Sequence, residues 1–392
     1  MPKTIAVNAG SSTLKFKLFD MPSENVVAEG IVDRVGFDMG SFTLKYGNGQ
    51  KYSVEQKFAT HQEGIDLLLQ KLTELKIIND FSEITGVGHR IVAGGEYFTD
   101  SVLIDDDVLD KIESLIEYAP LHQPAHIMGI KAFKKALPNA TAVAVFDTSF
   151  HAGMPEENYL YSIPYEYYEK YGARRYGAHG TSHRYVAQRA ADLLGKPLEE
   201  LKLITLHLGA GASITAIDHG KSIDTSMGFT PLAGITMATR SGDIDPSLVD
   251  FLREKLNVSS ADMIDILNKK SGLLGISGIS ADMRELESSN DHRAELAINI
   301  FNNRVIKYVG SYIAEMGGVD GLVFTAGIGE NSAETRATVS NAFNYMGIKI
   351  DDNKNNVRGK ETIVSTDDSS AAVMLIPTNE ELMIARDVER FK

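Results

Sequence analysis

Three apolar, strand-like runs in this chain break into glycine-rich turns, and turns of that kind can hold a phosphate. They are Asn8-Ala9-Gly10-Ser11-Ser12, His207-Leu208-Gly209-Ala210-Gly211-Ala212-Ser213, and Thr325-Ala326-Gly327-Ile328-Gly329-Glu330-Asn331-Ser332. Glycine lets backbone N–H groups approach an anion closely, and successive amides form a positive concavity. One such turn alone merely reverses a chain. Three, each after an apolar run, point towards a nucleotide. Arg90 follows a strand-like run before Ala93-Gly94-Gly95, and Arg240 lies in MATRSGD beside another turn. A lone arginine is usually a solvated surface residue. Two at strand-end turns, near histidines, suit a site where negative charge is neutralised. Asp147 ends the apolar run VAVF, where a carboxylate is either a cap or an active-site group.

Several familiar chemistries are excluded. HGKS at 219–222 has the Lys-Ser of a P-loop, but Thr215 stands where its first glycine is required. The loop motifs of protein kinases are absent. His122 and His126, like His179 and His183, stand four residues apart. Neither pair encloses the glutamate of a zinc-protease helix, and Pro124 and Gly180 argue against a common helical face. His126 and His183 read as loop-satisfying histidines, whereas His122 and His179 lie near basic or turn motifs. With no cysteine in the chain, thiolate zinc, disulfides and a cysteine nucleophile are ruled out.

The elements that position these residues follow from periodicity. Alternating apolar residues predict strands over 4–8, 14–19, 26–32 and 41–46, and Ile65, Leu68, Leu69, Leu72 and Leu75 keep helical spacing. A strand over 86–92, a helix over 108–118, a helix opening near Pro124 and a buried strand over 140–146 follow. The second half replays this order. Aligning LKLITLHLGAGASITAID with the opening stretch sets Ile204 under Ile5, Leu206 under Val7, His207 under Asn8 and Gly209 under Gly10. A duplicated α/β domain leaves such a trace, as do two chance hairpins. Helices over 246–256 and 292–315, a strand over 321–328 and a C-terminal helix complete the pattern.

Composition sets the class. The chain has 392 residues, 43% hydrophobic, with a formal net charge of −14. The length suits two or three domains, and the acidic balance argues against nucleic-acid or anionic-membrane partners. No apolar run reaches the ~18 residues a membrane span requires, nor does the N-terminus resemble a signal peptide. We expect a soluble, cytoplasmic protein.

The segments NAGSSTLKFKLFD, VGHRIVAGGE, APLHQPAH, FDTSFH, RRYGAHGTSHRYV, TSMGFTPLAGITMATRSGDIDP, FTAGIGENS and PTNEELMIARD together resemble the acetate kinase family, from about residue 4 to 388. That resemblance implies two duplicated α/β domains of the ribonuclease H-like, actin-like ATPase type, with a nucleotide cleft between them. It places the domains at 1–148 with 378–392, and at 149–377. It implies reversible, direct in-line transfer of the ATP γ-phosphoryl to acetate with Mg²⁺ or Mn²⁺, in a homodimer.

By the same resemblance, Asn8 and Glu380 would sit at the metal, with Lys15, Ser11 and Ser12 near the phosphates. Arg90 would hold the substrate carboxylate, and His179 and Arg240 would stabilise the transition state, with His122 close by. Asp147 matches a catalytic aspartate, read here as orienting an arginine or a metal-bound water. The nucleotide segments would be His207, Leu208, Gly209, Ala210 and Gly211; Asp282, Met283 and Arg284; and Gly327, Ile328, Gly329, Glu330 and Asn331. Val92, Leu121, Ala178 and Pro231 would line the acyl pocket.

The chemistry fits these roles. A carboxylate nucleophile is already ionised at neutral pH and needs no base, only positive charge and positioning to approach a triphosphate in line. Three positions depart from the family: Ala210 replaces the usual asparagine, Ala93 the usual histidine, and Ala178 the usual phenylalanine. A methyl in place of a ring widens the pocket, from which we expect acetate as the main substrate with tolerance for propionate. A peptide-binding ATPase of the same fold lacks residues for its second module; an ATP hydrolase is the rival enzyme.

Overall fold

The computed structural model describes residues 2–119 and 122–392. It divides into one unit of Met1–Ala152 with Asn379–Lys392, and a second of Gly153–Thr378.

The first unit is built on an eight-stranded sheet: β1 (Lys3–Ala9), β2 (Thr13–Asp20), β3 (Asn25–Asp33), β4 (Gly40–Tyr46), β5 (Gln50–Gln56), β6 (Ile84–Ile91), β7 (Val102–Leu103) and β8 (Thr141–Phe146), in the order β5-β4-β3-β2-β1-β6-β8-β7. The β1 strand is antiparallel to β2 and parallel to β6, which is parallel to β8. One face carries α1 (His61–Glu74), α2 (Asp106–Ser114) and α3 (Gln123–Ala136). Its core joins Ile5, Val7, Leu14 and Phe16 of the sheet to Leu68, Leu72 and Phe133 of the helices. Each such side chain contributes about 1.5–3 kcal/mol by leaving water.

The other face takes the C-terminal helix, Glu380–Glu389, which packs on β1, β6 and β8. Gly86 and Gly88 permit this: a Cβ at Gly88 would lie 2.3 Å from Ile384 Cγ2. Alternation along β6 therefore gives its even positions, Arg90 included, to the C-terminal helix, and its odd positions to the helices opposite.

The second unit has a six-stranded sheet: β9 (Lys202–Leu208), β10 (Ala212–Asp218), β11 (Lys221–Thr225), β12 (Gly321–Thr325), β13 (Thr362–Ile363) and β14 (Ala372–Leu375), in the order β11-β10-β9-β12-β14-β13. Here β9 is antiparallel to β10 and parallel to β12, which is parallel to β14. The run β3-β2-β1-β6-β8 thus recurs as β11-β10-β9-β12-β14 with the same directions. This is the duplication that the aligned hairpins suggested. Its helices include α4 (Gly180–Leu194), α5 (His292–Met316), α6 (Ala326–Asn331) and α7 (Ala333–Asn341). Phe301 and Val305 of α5 pack against Ile204, Leu206, Ile214 and Phe324.

Some boundaries differ from expectation. The helix expected over 108–118 is α2 followed by a separate 3₁₀ turn at Ile116–Tyr118. The strand expected over 321–328 stops at Thr325, and the glycine-rich stretch after it is the helix α6, not a turn. Strand β5 was not anticipated: on this exposed edge only Tyr52 and Val54 alternate with polar residues and pack on the core, a short signal.

Candidate active site

In the first unit, the chemistry-bearing residues gather at the carboxyl ends of β1, β6 and β8. In register, Asn8 faces Lys15 across the β1–β2 hairpin. Val7 pairs with His89, so the next positions along, Asn8 and Arg90, come level on the face towards the C-terminal helix. Asp147 follows β8 and receives Arg90 at two points, Nε to Oδ1 at 2.9 Å and Nη2 to Oδ2 at 2.7 Å. The carboxylate is buried and caps no helix; it orients the guanidinium.

Glu380 begins the C-terminal helix after Asn379, whose side chain accepts from Leu382 N at 3.2 Å. Burial pushes the Glu380 carboxyl up; Arg90 opposes that shift, while Asp147 and Glu381 add to it. Burial likewise works against the Arg90 charge, but Asp147 and Glu380 outweigh it and hold its pKa above the ordinary arginine value. Glu381 is tied to Lys17 at 3.3 Å. These oxygen donors fit a hard divalent cation, which Mg²⁺-type sites hold with one or two side chains plus substrate phosphates. Among the described residues no cluster of three or more acidic or histidine side chains forms a self-sufficient metal cage.

The turn carrying Ser11 and Ser12 is braced from behind. The carbonyl of Gly10 accepts from His61 Nε2 at 2.8 Å, and Ser12 O accepts from Val35 N at 2.9 Å. His122 stands at the N-cap of α3, its ring 6.4 Å from that of His126. His126 is pushed down to about 3 by burial and by the Arg90 charge. Val92 is half-buried just beyond β6. Leu121 lies outside the described residues.

In the second unit, His179 precedes α4 in the left-handed region, at φ 57°. Its ring stacks on His207 with centroids 4.1 Å apart. Gly211 sets the edge of this group: a Cβ there would lie 3.5 Å from His179 Nε2 and 3.4 Å from Arg240 Nη1. Arg240 Nη1 donates to Pro231 O at 3.2 Å, and no carboxylate pairs with Arg240 among the described residues. Burial lowers its pKa below the usual arginine value, yet a guanidinium stays charged at neutral pH. Ala178 is 3% exposed and belongs to the core of this unit.

A cavity of about 600 Å³ in the same unit is lined by Gly209, Ala210, Asp282, Met283, Arg284, Gly327, Ile328 and Asn331. That size suits a nucleoside-sized ligand. Asp282 and Arg284 are joined at 2.6 Å, and that bond pulls the Asp282 carboxyl down to about 2. Of the nucleotide residues expected in this unit, His207, Leu208, Gly211, Gly329 and Glu330 do not line the cavity. Leu208 is in the core, His207 is hydrogen-bonded to Ser182 at 2.8 Å, and Glu330 accepts from the backbone N–H of Ala326 and Thr378.

Sequence reasoning missed several residues. Ala238, Ala281, Glu287, Ser332 and Arg358 complete the cavity wall. His61 braces the first turn, and Ser182 joins His207 to Thr378. His183 is not a loop histidine: it is fully buried on α4 and bonded to Ser213 and Thr205. The four-residue spacing of HGTSH was the available signal, since it sets both rings on one side of a first helical turn.

A family model described as the Acetokinase family matches residues 3–386. The chain is 64% identical over 395 residues to an acetate kinase from Limosilactobacillus fermentum, covering 100% of this chain and 99% of that protein. A crystal structure of an acetate kinase from Porphyromonas gingivalis superposes with a TM-score of 0.96 at 44% identity, covering 100% and 99%. A propionate kinase from Francisella tularensis gives 0.92 at 42% identity, covering 100% of both chains.

Proposed function

This chain belongs to the acetokinase family, and we propose that it transfers the γ-phosphoryl group of ATP to acetate, reversibly, giving acetyl phosphate and ADP. The observation that supports this most is the anion-seeking edge at Gly211. There His179 Nε2 and Arg240 Nη1 both come close to a position without a side chain, and among the described residues no carboxylate pairs with Arg240. Such donors stabilise charge that develops on a transferring phosphoryl group.

On this reading Arg90, held by Asp147, orients the acetate carboxylate. One acetate oxygen attacks the γ-phosphorus, a new P–O bond forms, and the bond to the β-phosphate oxygen breaks as ADP leaves. No proton moves, because the nucleophile is already ionised. Asp147 therefore works as a positioning group. The nucleotide occupies the cavity beside Asp282 and Gly327, with Ala210 and Gly211 offering backbone amides while the Gly209 N–H holds the turn through Gly211 O at 3.1 Å. Lys15, Ser11 and Ser12 serve the phosphates. Asn8 and Glu380 hold Mg²⁺ or Mn²⁺, which supplies charge neutralisation on the phosphates when bound. A cytoplasmic homodimer is the state we propose from the family resemblance.

The test is trapping of the acyl phosphate as its hydroxamate in the presence of acetate and ATP. Equal amounts of hydroxamate and ADP support the transfer reaction. ADP without hydroxamate replaces it with ATP hydrolysis.

A further inference from the structure

We propose that a hydrogen-bonded chain, Thr205–His183–Ser213–His179, fixes His179 as the tautomer with its proton on Nε2. Thr205, His183 and Ser213 are then positioning residues for the imidazole that faces the phosphoryl group. This rests on the role of His179 proposed above.

The geometry is continuous. Thr205 Oγ1 lies 2.7 Å from His183 Nδ1, His183 Nε2 lies 2.7 Å from Ser213 Oγ, and Ser213 Oγ lies 2.9 Å from His179 Nδ1. Thr205, His183 and Ser213 are all 0% exposed, so these bonds have no water to replace them. The fold builds the chain from three elements: Thr205 on β9, Ser213 on β10, and the two histidines one turn apart at the start of α4.

Proton counting decides its direction. The Ser213 hydroxyl has one hydrogen and two imidazole nitrogens against it, so it donates to one ring and accepts from the other. For two neutral rings, only two arrangements satisfy that rule. In the first, Thr205 donates to His183 Nδ1, His183 Nε2–H donates to Ser213, and Ser213 donates to His179 Nδ1. Every hydrogen in the chain is used, and His179 carries its own on Nε2. In the second, His179 Nδ1–H donates to Ser213, Ser213 donates to His183 Nε2, and His183 Nδ1–H donates to Thr205. The Thr205 hydroxyl hydrogen then has no acceptor, since His183 is the hydrogen-bond partner of that side chain among the described residues. A buried, unpaired donor biases the equilibrium against this arrangement by roughly ten- to a hundredfold.

The favoured arrangement turns a donor towards the anion. Nε2 is the nitrogen beside Gly211 and Arg240, and an N–H there stabilises a phosphoryl oxygen whereas a lone pair repels it. The tautomer of a histidine is set by the bond that its other nitrogen makes. Here that bond is traced back two residues further, to a threonine in the sheet.

The experiment is long-range proton–nitrogen NMR on the full-length protein labelled with ¹⁵N-histidine, the His179 signals being identified by their loss in His179→Gln. In the wild type, His179 is expected to show a protonated Nε2 and an unprotonated Nδ1. In Thr205→Val the bias is removed, so the Nδ1–H form rises to a comparable population; Thr205→Ser restores the wild-type pattern. Ser213→Ala is expected to lower kcat by ~10–100-fold with KM for acetate and ATP little changed, because orientation is lost while binding groups remain. A wild-type His179 protonated mainly on Nδ1 overturns the proposal, as does an unchanged tautomer ratio in both Thr205→Val and Ser213→Ala. The role of His179 in transfer is tested separately: full activity in His179→Ala removes that role without altering the tautomer assignment.

Discussion

Asp147 holds Arg90 with both carboxylate oxygens, at 2.9 Å to Nε and 2.7 Å to Nη2. The carboxylate side chain is 2% exposed and the arginine side chain 19%. A buried pair of this geometry fixes the guanidinium plane, leaving Nη1 as the group able to meet a substrate carboxylate. Asp147→Asn replaces one acceptor with an NH₂ that repels the guanidinium. The expected outcome is a fall in kcat/KM for acetate of ~10²–10³-fold with KM for ATP little changed. Steady-state kinetics with each substrate varied checks this, and equal losses for both substrates would count against a local effect on Arg90.

If Glu380 holds the metal as proposed, metal binding depends on pH. Burial raises its pKa, with Arg90 pulling the other way, and a cation binds the ionised form. Metal affinity should therefore climb as pH rises through the raised value and then level off. Glu380→Gln should bind Mn²⁺ more weakly and lose that slope, as measured by the paramagnetic signal of free Mn²⁺. Stability follows the opposite sign. A carboxyl whose folded pKa is raised favours folding below its unfolded value, and this contribution disappears as pH rises through the folded one. Without metal, Glu380→Gln should thus raise Tm at neutral pH, and the gain should shrink as pH falls towards the ordinary carboxylate range.

The parts of this design that were legible in the sequence are those with local causes. The hairpins at Asn8 and Gly209 were readable because alternation and glycine sit within a few residues of each other, and their alignment anticipated the repeated sheet order. Arg90 and Asp147 each announced themselves at a strand end, but their bidentate pairing spans 57 positions and needed the parallel register of β6 and β8. His183 shows the limit more sharply. Its partners, Thr205 and Ser213, are 22 and 30 positions away, so the four-residue spacing from His179 hints at a shared helical turn but not at the buried bonds His183 makes. The stretch Ala326–Asn331 was read as a turn for its glycines, yet it is a helix whose first residue, Ala326, takes φ 62°.

The acyl-pocket role proposed for Ala178 predicts an effect on substrate choice. Its methyl is 3% exposed within the core of the second unit, so a larger side chain must push outwards or strain its neighbours. Ala178→Phe should cut kcat/KM for propionate relative to acetate by ~10–200-fold, the range over which apolar pockets distinguish one methylene. The ratio is the proper readout, because overpacking at a cost of ~1–3 kcal/mol would lower both activities together. Ala178→Val offers a smaller step in the same direction. A ratio unchanged in both variants would remove Ala178 from the acyl pocket.

Arg336 braces segments that lead into the wall of the cavity proposed for the nucleotide. It is 0% exposed and, among the described residues, pairs with no carboxylate; instead Nη1 donates to Gly329 O at 2.9 Å, Nε to Asn355 Oδ1 at 2.8 Å, and Nη2 to Asn355 O and Val357 O at 2.8 Å each. Burial and the neighbouring Arg358 bring its pKa down to about 10, so it remains charged at neutral pH. Those bonds tie α7 to α6 and to the segment leading into Arg358, two parts of the cavity wall. Arg336→Met fills much of the volume but leaves these carbonyls unpaired, and buried acceptors stripped of a charged donor cost about 3–5 kcal/mol. Denaturant unfolding should show a loss of that order. Arg336→Lys, which keeps a charge but not the planar fork, should fold and still raise KM for ATP while leaving KM for acetate near the wild-type value. If both KM values rise together in the lysine variant, Arg336 serves the stability of the unit alone and does not shape the nucleotide cavity.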